Sequence, residues 1–572
     1  MIARSDALQA LATEPFDVVV IGGGITGAGV ALDAASRGYS VALVERDDFA
    51  SGTSSRSSKL VHGGLRYLQQ FDIGLVREAL QERQLLVKLA PQLVRPLPIV
   101  VPAFGGARLD RLVGVGLNLY DVMSLGPRRG LRGRLGRRPT DAADGAEARQ
   151  GETWSPERHR VIGGEEVCEY LPALAARAPT AGYLFYDCQT DDVRLVLSVL
   201  GEAERFGAIC ANDVCVEELL LEDGRAAGVR ARERVSGEAL IVRAEHVVNA
   251  TGVWADRLRP QELHDEAEVP QIRPSRGSHI ILSNERLLLR AGAIVPAGGG
   301  RTIFALPWLG RALIGTTDND YHGELEHVRP PAEDVDYLLD AVNAFFATSL
   351  GREDVAGAFA GVRPLISPGD ARTSVDISRK AELYETSSGM ITITGGKLTT
   401  WRRMAQMTVD RIVERDSLDA PCRTQEIQIG QHVSPEQLER VAGVAPEAYP
   451  ALAARYGSRA DAVLRIAGER AELAKPILDG FPDLLAEVVH AARSEQARGI
   501  GDVLLRRTRL GLLAARELSA EGSPALKRVA AAVGRELGWN LRRRRAELAR
   551  FHDEALAEGI VVEGLPAGAG AS

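Results

Sequence analysis

Residues 16–45 read FDVVVIGGGITGAGVALDAASRGYSVALVE and decide the fold. An apolar, β-branched run ends at Ile21, and three glycines follow it directly. An Ala-rich pattern then continues to Gly38, and a second apolar run ends in Glu45. A strand, a glycine turn, a helix and a second strand in this order predict one βαβ unit with parallel strands.

The glycines of this turn have the spacing of a dinucleotide-binding loop. Gly22 allows the tight turn, Gly24 allows the backbone to approach a pyrophosphate, and Gly27 allows the helix to pack closely on the strand. The N-terminus of the helix then offers free N–H groups to the phosphates. Glu45 is placed to accept hydrogen bonds from ribose hydroxyls, which favours FAD or NAD over NADP.

Length and composition limit the class of protein. The chain has 572 residues, of which 45% are hydrophobic and 26% charged, so two or three globular domains are expected. The net charge of −8 argues against general nucleic-acid binding. The five cysteines contain no C-x-x-C pair, which predicts neither a metal site nor a disulfide framework and suits a reducing cytosol.

The sequence predicts neither an export signal nor a membrane span. Residues 1–14 carry both charge signs and lack an apolar core, and no uninterrupted apolar run reaches the length of a transmembrane helix. Between Arg128 and Arg138 lie six arginines and three glycines, which form either a solvated loop or a contact with anionic lipid head groups. We therefore expect a chain that does not span a membrane, although it could still lie on one.

A polar stretch follows Glu45 and reads Ser51-Gly52-Thr53-Ser54-Ser55-Arg56-Ser57-Ser58-Lys59. It is either a surface linker or a hydroxyl-rich loop along the cofactor, and its position just after the ribose-binding acid favours the loop. Its candidate cofactor contacts are Thr53, Ser54, Ser58 and Lys59. The segment His62-Gly63-Gly64-Leu65-Arg66-Tyr67-Leu68 then places a cation and a phenol where the backbone can approach a ligand.

A second approach to the cofactor is predicted after a meander of three short strands with turns at Asp223-Gly224 and Ser236-Gly237. The third strand runs into Asn249-Ala250-Thr251-Gly252. Flavoproteins of the two-dinucleotide-fold class return to the cofactor with such a junction, whereas simple NAD dehydrogenases have no need of it. Thr251 and Gly252 are therefore candidate contacts.

The segment Gly395-Gly396-Lys397-Leu398-Thr399-Thr400 is similar to a P-loop but lacks its defining residues. A Walker A motif needs a glycine where this chain has Ile391 and a Ser or Thr where it has Leu398. We therefore predict a glycine turn that opens a helix from Thr399 to Val413, with Gly396, Leu398 and Thr399 as candidate cofactor contacts. Ser434-Pro435-Glu436-Gln437 has the order of a helix start, and helical patterns dominate from there to about residue 556.

These segments together resemble the FAD-dependent, aerobic type of glycerol-3-phosphate dehydrogenase over nearly the whole chain. The resemblance is carried by the glycine turn, by residues 53–55 and 59–68, and by Gly277-Ser278-His279, residues 314–318, 361–365 and 395–400. H-G-G-L-R-Y-L and G-G-K-L-T-T together are specific, whereas many flavoproteins share the glycine turn. The leader before the first strand and the basic segment 128–138 depart from the family.

The resemblance implies an α/β fold with a two-dinucleotide-fold FAD-binding domain, a β-rich substrate (cap) domain and a C-terminal α-helical domain. We expect the oxidoreductase domain at 14–424 and the helical domain at 425–560. Within the first, the FAD-binding parts are expected at about 14–90, 180–270 and 355–415, and the cap parts at about 91–179 and 271–354.

The resemblance also implies that sn-glycerol 3-phosphate is oxidised to dihydroxyacetone phosphate, with electrons passing from FAD to a quinone. Such a substrate needs cations for its phosphate and a base for its hydroxyl proton, with its C2 hydrogen aimed at flavin N5. The candidate phosphate ligands are Arg363, Arg379 and Tyr67. His279 is the candidate base. Arg66 and Lys397 are expected beside the flavin and substrate, where Lys397 would stabilise developing negative charge.

Each candidate has a structural alternative, because strand histidines are often core residues and arginines beside glycines are often surface ion pairs. No family motif surrounds Arg379. The rival functions are a glycerol-3-phosphate oxidase that uses O2, a flavin-dependent 2-hydroxy-acid or amino-acid oxidase, and a non-catalytic flavin-binding or membrane-scaffold protein. We also expect a homo-oligomer, specifically a dimer. Because the implied acceptor is a quinone, we expect a cytoplasmic protein that lies peripherally on the inner face of the cell membrane.

Overall fold

The helices and strands divide the molecule into two sheets and a C-terminal group of helices. The computed structural model describes residues 1–65, 72–105, 111–124, 158–258, 271–367 and 380–563. Within these ranges the α-helices are α1 (Arg4–Thr13), α2 (Ile25–Ser36), α3 (Ile73–Leu89), α4 (Arg111–Ser124), α5 (Gly164–Tyr170), α6 (Asp192–Arg205), α7 (Ala332–Phe346), α8 (Trp401–Asp416), α9 (Ala448–Tyr456), α10 (Ala460–Glu469), α11 (Leu485–Ser494), α12 (Leu510–Leu513), α13 (Ala515–Ser519), α14 (Pro524–Glu536) and α15 (Leu541–Ala557). The strands are β1 (Phe16–Ile21), β2 (Val41–Val44), β3 (Leu60–Val61), β4 (Arg95–Phe104), β5 (Arg160–Gly163), β6 (Pro179–Gln189), β7 (Ile209–Ala211), β8 (Val214–Glu222), β9 (Arg225–Glu233), β10 (Ala239–Asn249), β11 (Gln271–Ser283), β12 (Gly292–Pro296), β13 (Thr302–Trp308), β14 (Arg311–Gly315), β15 (Asn319–Asp320), β16 (Val355–Ser367), β17 (Ala381–Glu385) and β18 (Ile391–Gly395).

The first sheet has a parallel centre in the order β18-β10-β1-β2-β7. Strand β17 pairs antiparallel with β18, and β8 and β9 form an antiparallel meander with β10. Because successive side chains of a strand point to opposite faces, Val18 and Val20 pack against α2, α6 and α8, whereas Val19 and Ile21 pack against α1 and the meander. The predicted βαβ unit and the three-strand meander are both present.

The second sheet is mostly antiparallel and contains β11, β14, β13, β12, β4, β6 and β3 in that order, with β16 paired along β11. Helix α7 covers one face, where Leu338 and Phe346 pack with Ile280 and Ile314. On the other face, His279 stacks on Phe359 of β16. This face of the sheet therefore lies toward the cavity described below.

The C-terminal helices α9–α15 share a hydrophobic core with the second sheet, which contributes Trp308, Leu313 and Phe359 to it. The predicted fold class is confirmed, and the domain boundaries given above stay predictions. The predicted helix start at Ser434 is wrong in extent. The Ser434 N–H donates to Gln437 Oε1 at 2.9 Å, but only one 3₁₀ turn, Pro435–Gln437, follows, and α9 begins at Ala448.

Candidate active site

A cavity of about 900 Å³ is lined by residues of both sheets. Most of the predicted cofactor contacts lie in its wall: Gly22, Gly24, Glu45, Thr53, Ser54, Ser58, Thr251, Gly252, Gly396, Leu398 and Thr399. The candidate catalytic and substrate residues His279, Arg363 and Lys397 lie in the same wall. The chain therefore brings segments about 370 residues apart in sequence, from Gly22 to Lys397, to a single site.

The glycine turn requires its glycines for steric reasons. Gly22 has a φ of +111°, and a Cβ added there would lie 2.7 Å from the carbonyl oxygen of Ala250. A Cβ added at Gly27 would lie 1.9 Å from the carbonyl oxygen of Gly22, so Gly27 acts through close packing and not as a wall residue. At Gly24 an added Cβ would meet only Ser54, 3.1 Å from its Oγ. The N-terminus of α2 is thus left open to the cavity.

Glu45 directly follows β2, the second strand of the unit, and two backbone donors orient its carboxylate. The Gly23 N–H donates to Oε2 at 2.7 Å, and the Asp47 N–H donates to Oε1 at 2.9 Å. Burial raises the pKa of Glu45 to about 7, and the two N–H groups oppose this rise only in part. Each carboxylate oxygen can accept a further hydrogen bond, as a ribose contact requires.

Hydroxyl side chains of the loop after Glu45 connect three elements around the cavity. Thr53 Oγ1 donates to the Val362 carbonyl of β16 at 2.6 Å, and Ser54 Oγ accepts from the Ile25 N–H of α2 at 3.0 Å. Ser58 Oγ lies 2.9 Å from Nε2 of His279. The predicted hydroxyl-rich loop therefore follows the cavity wall.

Of the four candidate cofactor contacts predicted in this loop, Lys59 is the one that does not line the cavity. Its side chain is fully buried, and Nζ donates to Asp192 at 2.7 Å and to the Ser55 carbonyl at 2.6 Å. Burial lowers the pKa of Lys59 to about 8, although Asp192 opposes the change. The side chain thus anchors the loop on the side away from the cavity. It does not reach the cavity, whereas the sequence predicted a direct contact between Lys59 and the cofactor.

The second approach to the cavity is formed by the ends of β10 and β18. Thr394 Oγ1 donates to the Gly252 carbonyl at 3.1 Å, which holds the two strand ends together. Gly396 has a φ of +67°, and a Cβ added there would lie 2.3 Å from Met404 Sδ. Thr399 Oγ1 accepts from the His62 N–H and donates to the His62 carbonyl, both at 3.1 Å. The turn after β18 is therefore tied to the segment that leads into Arg66.

His279 lies on β11 with its ring 4.7 Å from that of Phe359, nearly parallel to it. Burial lowers the pKa of His279 well below 6.5, and the charges of Lys59 and Arg363 lower it further. The imidazole is therefore neutral near pH 7 and able to accept a proton. A Cβ added at Gly315 of the neighbouring strand would lie 2.2 Å from the His279 ring, so that glycine makes room for it.

Arg363 projects from β16 and is oriented by groups of the Thr316–Asp318 turn. Nη2 donates to Thr316 Oγ1 and to the Thr317 carbonyl, each at 3.2 Å, and Nη1 lies 3.4 Å from Asp318 Oδ1. A Cβ added at Gly277 would lie 2.4 Å from Nη2. Thr316 and Asp318 also line the cavity. We did not single them out from the sequence, although the resemblance motif 314–318 contains them.

Three of the predicted site residues, Arg66, Tyr67 and Arg379, lie outside the described residues, as does the basic segment 128–138. Gly64 and Leu65, which precede Arg66, line the cavity.

Comparison with known proteins identifies the family. The family model for FAD dependent oxidoreductases matches residues 17–410, and that for the C-terminal domain of alpha-glycerophosphate oxidase matches residues 422–544. Glycerol-3-phosphate dehydrogenase 2 of Mycobacterium tuberculosis is 37% identical over 564 residues, which cover 97% of this chain and 90% of the relative. The chain belongs to the FAD-dependent glycerol-3-phosphate dehydrogenase family.

Two further members of this glycerol-3-phosphate dehydrogenase family support the assignment. The aerobic enzyme of Bacillus subtilis is 34% identical over 527 residues, covering 89% of each chain. The glycerol-3-phosphate dehydrogenase of Bacillus halodurans, solved in complex with FAD, has a TM-score of 0.75 and 28% identity and covers 98% of this chain and 99% of its own. The predicted family, FAD-dependent oxidoreductase class and FAD cofactor are confirmed.

The residues present fit FAD as the cofactor of this dehydrogenase family. The open N-terminus of α2 at Gly24 suits a pyrophosphate, and the Glu45 carboxylate in the same wall suits a ribose. His279, Arg363 and Lys397 occur in the part of the wall formed by β11, β16 and the end of β18. Groups for a cofactor and groups for an anionic substrate thus share one cavity.

Proposed function

We propose that the protein oxidises sn-glycerol 3-phosphate to dihydroxyacetone phosphate. The observation that carries this proposal is the presence of His279, Arg363 and Lys397 in one cavity with the glycine turn. The named relatives act as further support, since they are glycerol-3-phosphate dehydrogenases.

Each residue has a role that follows from its chemistry. The Arg363 guanidinium, oriented by Thr316 and Asp318, binds the substrate phosphate. The neutral His279 ring, held by Ser58, accepts the proton of the C2 hydroxyl. The Lys397 ammonium stabilises the negative charge that develops during the reaction. FAD, when bound, supplies the acceptor for the C2 hydride at N5. Arg66, Tyr67 and Arg379 are proposed to complete the anion site.

The direct test is anaerobic addition of glycerol 3-phosphate to the purified yellow protein. We expect the visible flavin absorbance to bleach and dihydroxyacetone phosphate to appear in equal amount. Bleaching by a 2-hydroxy acid or an amino acid, with no response to glycerol 3-phosphate, would instead identify an oxidase of those substrates. A flavin that none of these compounds reduces would favour the non-catalytic alternative.

We propose a quinone as the electron acceptor. Beyond the polar groups, the cavity wall includes the apolar side chains of Val101, Val113, Phe185, Ile294 and Phe304, which suit an apolar ring. The alternative acceptor is O2, because the family matched by the C-terminal residues is named for an oxidase. Quinone reduction with little peroxide would support the proposal, and stoichiometric peroxide without quinone reduction would exclude it.

A peripheral contact with the membrane is proposed at helix α4. No helix among the described residues is both long and apolar enough to cross a bilayer. Val115, Leu119 and Val122 of α4 are 66%, 40% and 62% exposed and recur at helical spacing, so they form one apolar stripe. Leu117 and Tyr120, on the opposite side of α4, are buried. The six arginines of residues 128–138 follow in the sequence and would attract anionic head groups.

Sedimentation with vesicles that contain anionic lipid tests this contact. The double variant Val115→Asp/Val122→Asp should lose binding and keep glycerol 3-phosphate oxidation with a soluble acceptor. The matched control is Leu221→Asp/Ile241→Asp, which places the same charges at exposed apolar residues of β8 and β10. Equal binding by wild type and both variants would reject α4 as the contact.

We also propose that the protein lies on the inner face of the cell membrane and that it is a dimer. Light scattering tests the dimer.

A further inference from the structure

Arg509 of the C-terminal region is fully buried between that region and the cofactor-binding sheet. It follows a π-helical turn, Asp502–Arg507, and has a φ of +69°. Its Nη2 donates to Asp191 Oδ1 at 2.8 Å and also to Asp192 Oδ1. Both carboxylates belong to the start of α6, where Asp191 is the N-cap. A side chain of the C-terminal region therefore fixes the beginning of a helix in the FAD-binding part.

The other oxygen of Asp192 holds the loop that contains Ser58. Oδ2 accepts from Ser57 Oγ at 2.7 Å, from the Ser57 N–H at 3.2 Å and from Lys59 Nζ at 2.7 Å. Arg509 and Lys59 thus face Asp191 and Asp192, two cations against two carboxylates. Buried charges are tolerated when they are paired and hydrogen-bonded in this way, and removing one leaves the others uncompensated.

The same loop holds the candidate base. Ser58 lies between the two residues that Asp192 binds, and its Oγ lies 2.9 Å from His279 Nε2. Lys59 Nζ also lies 4.9 Å from the centre of the Phe359 ring, on which His279 stacks. A continuous series of contacts therefore runs from the buried Arg509 through Asp192 to the half-buried Ser57 and Ser58 and on to His279.

We infer that Arg509 is a positioning residue of the active site, which acts through Asp192 to fix the Ser57–Lys59 loop and thereby the imidazole of His279. The inference rests on the proposed function, because it assigns a purpose to the orientation of His279. Under this inference the C-terminal helices influence the reaction through Arg509, and this influence does not require contact with substrate or cofactor. Small displacements of a base lower the rate strongly, so the contact is expected to influence turnover more than binding.

The test uses the FAD-loaded enzyme with Arg509→Lys, which keeps the charge but loses the fork that binds Asp191 and Asp192 together. We expect kcat to fall roughly 10- to 100-fold, with KM for glycerol 3-phosphate changed less than about twofold and FAD retained. The control is Arg455→Lys. The side chain of Arg455 is 8% exposed and pairs with Asp483 and Glu487 inside the C-terminal region. The Arg455→Lys variant should keep the kcat of the wild type even if its melting temperature falls.

Hydrogen exchange supplies a readout that does not depend on activity. Arg509→Lys and Asp192→Asn should both speed exchange of the Ser57 and Lys59 amides, which Arg455→Lys should leave unchanged. The double variant Arg509→Lys/Ser58→Ala should lose no more kcat than Ser58→Ala alone, because both act on His279. The inference would be overturned if the kcat losses of Arg509→Lys and Ser58→Ala multiplied in the double variant. It would also be overturned if Arg509→Lys and Arg455→Lys had equal effects on kcat and on exchange. Faster exchange together with a wild type inactive on glycerol 3-phosphate would refute the proposed function instead.

Discussion

Ser58 Oγ and His279 Nε2 are 2.9 Å apart although the two residues are 221 positions apart in the sequence. The contact joins the loop after Glu45 to β11 of the second sheet. The candidate base is thus held by the loop that follows the βαβ unit. A base that must meet a bound substrate needs its orientation fixed to within about half an ångström, and the hydrogen bond to Ser58 restricts the imidazole in this way.

Replacement of His279 by Gln should reduce kcat with glycerol 3-phosphate by about 10²- to 10⁴-fold, since a positioned general base contributes about that factor. FAD content should stay at one per chain, because no proposed FAD contact is removed. Steady-state kinetics and the flavin spectrum check this pair of outcomes. Full turnover in the variant would assign proton removal to another group.

The pH profile gives an independent test of the same residue. Because burial and the charges of Lys59 and Arg363 hold the pKa of His279 well below 6.5, the ring is in its neutral, unprotonated form throughout the neutral pH range. Activity that depends on it should therefore be constant between pH 7 and 8 and fall only as pH drops through the lowered pKa. A limb seen in the wild type and absent from His279→Gln belongs to His279. If that limb had its midpoint above pH 7, the neutral, buried histidine described here would be wrong.

FAD affinity should depend on pH through Glu45. Its pKa is raised to about 7 in the absence of cofactor, so near pH 6 the side chain is mostly protonated. Ribose hydroxyls donate best to the ionised carboxylate, and binding should therefore tighten as pH rises from 6 to 8. Glu45→Gln should remove this dependence and weaken binding about tenfold at pH 8, which is the loss expected for one hydrogen bond to a charged group. Titration of the apoprotein with FAD, followed by flavin fluorescence, measures the affinity and its dependence on pH. An unchanged pH dependence in Glu45→Gln would exclude Glu45 as the source of that dependence.

Gly27→Ala should release FAD and destabilise the protein. The added Cβ would lie 1.9 Å from the carbonyl oxygen of Gly22, so α2 must shift away from the turn, at a cost of about 1–3 kcal/mol. The control is Gly116→Ala in α4, where an added Cβ meets no atom within 4 Å. That change should leave the melting temperature equal or slightly higher. Flavin content after desalting and thermal melting distinguish the two variants.

Local patterns were sufficient for the elements that surround the site. The predicted βαβ unit forms as β1, α2 and β2, and the predicted three-strand meander forms as β8, β9 and β10. Such features depend on residues within one or two turns. At Ser434 the same reasoning failed, because a cap starts a turn but cannot extend it. Leu438 is extended, and Gly443 with a φ of +85° precedes α9.

The unpredicted part of the site depends on contacts between distant segments. The composition of the polar loop correctly suggested a lining of the cavity, but it could not show that Lys59 turns inward to Asp192, 133 positions away. Likewise, no local pattern could pair Arg509 with Asp191, 318 positions earlier. Both pairs form because buried charges must find partners, and the fold determines which partners are near.

Arg363→Ala should strongly weaken use of the phosphorylated substrate without loss of FAD. The guanidinium is already held by Thr316 and Asp318, so the substrate gains a cation whose position needs no reorganisation. Loss of a hydrogen-bonded charge pair costs about 2–5 kcal/mol, which corresponds to a fall in kcat/KM of roughly 30- to 5000-fold.

The matched control for Arg363→Ala is Arg286→Ala. Arg286 is half exposed and pairs with Asp354 beyond the end of β11, away from the cavity wall. Anaerobic bleaching of the flavin at increasing glycerol 3-phosphate separates the outcomes: the control should respond like the wild type, and Arg363→Ala only at far higher concentration. Equal responses of all three proteins would show that the phosphate is bound elsewhere.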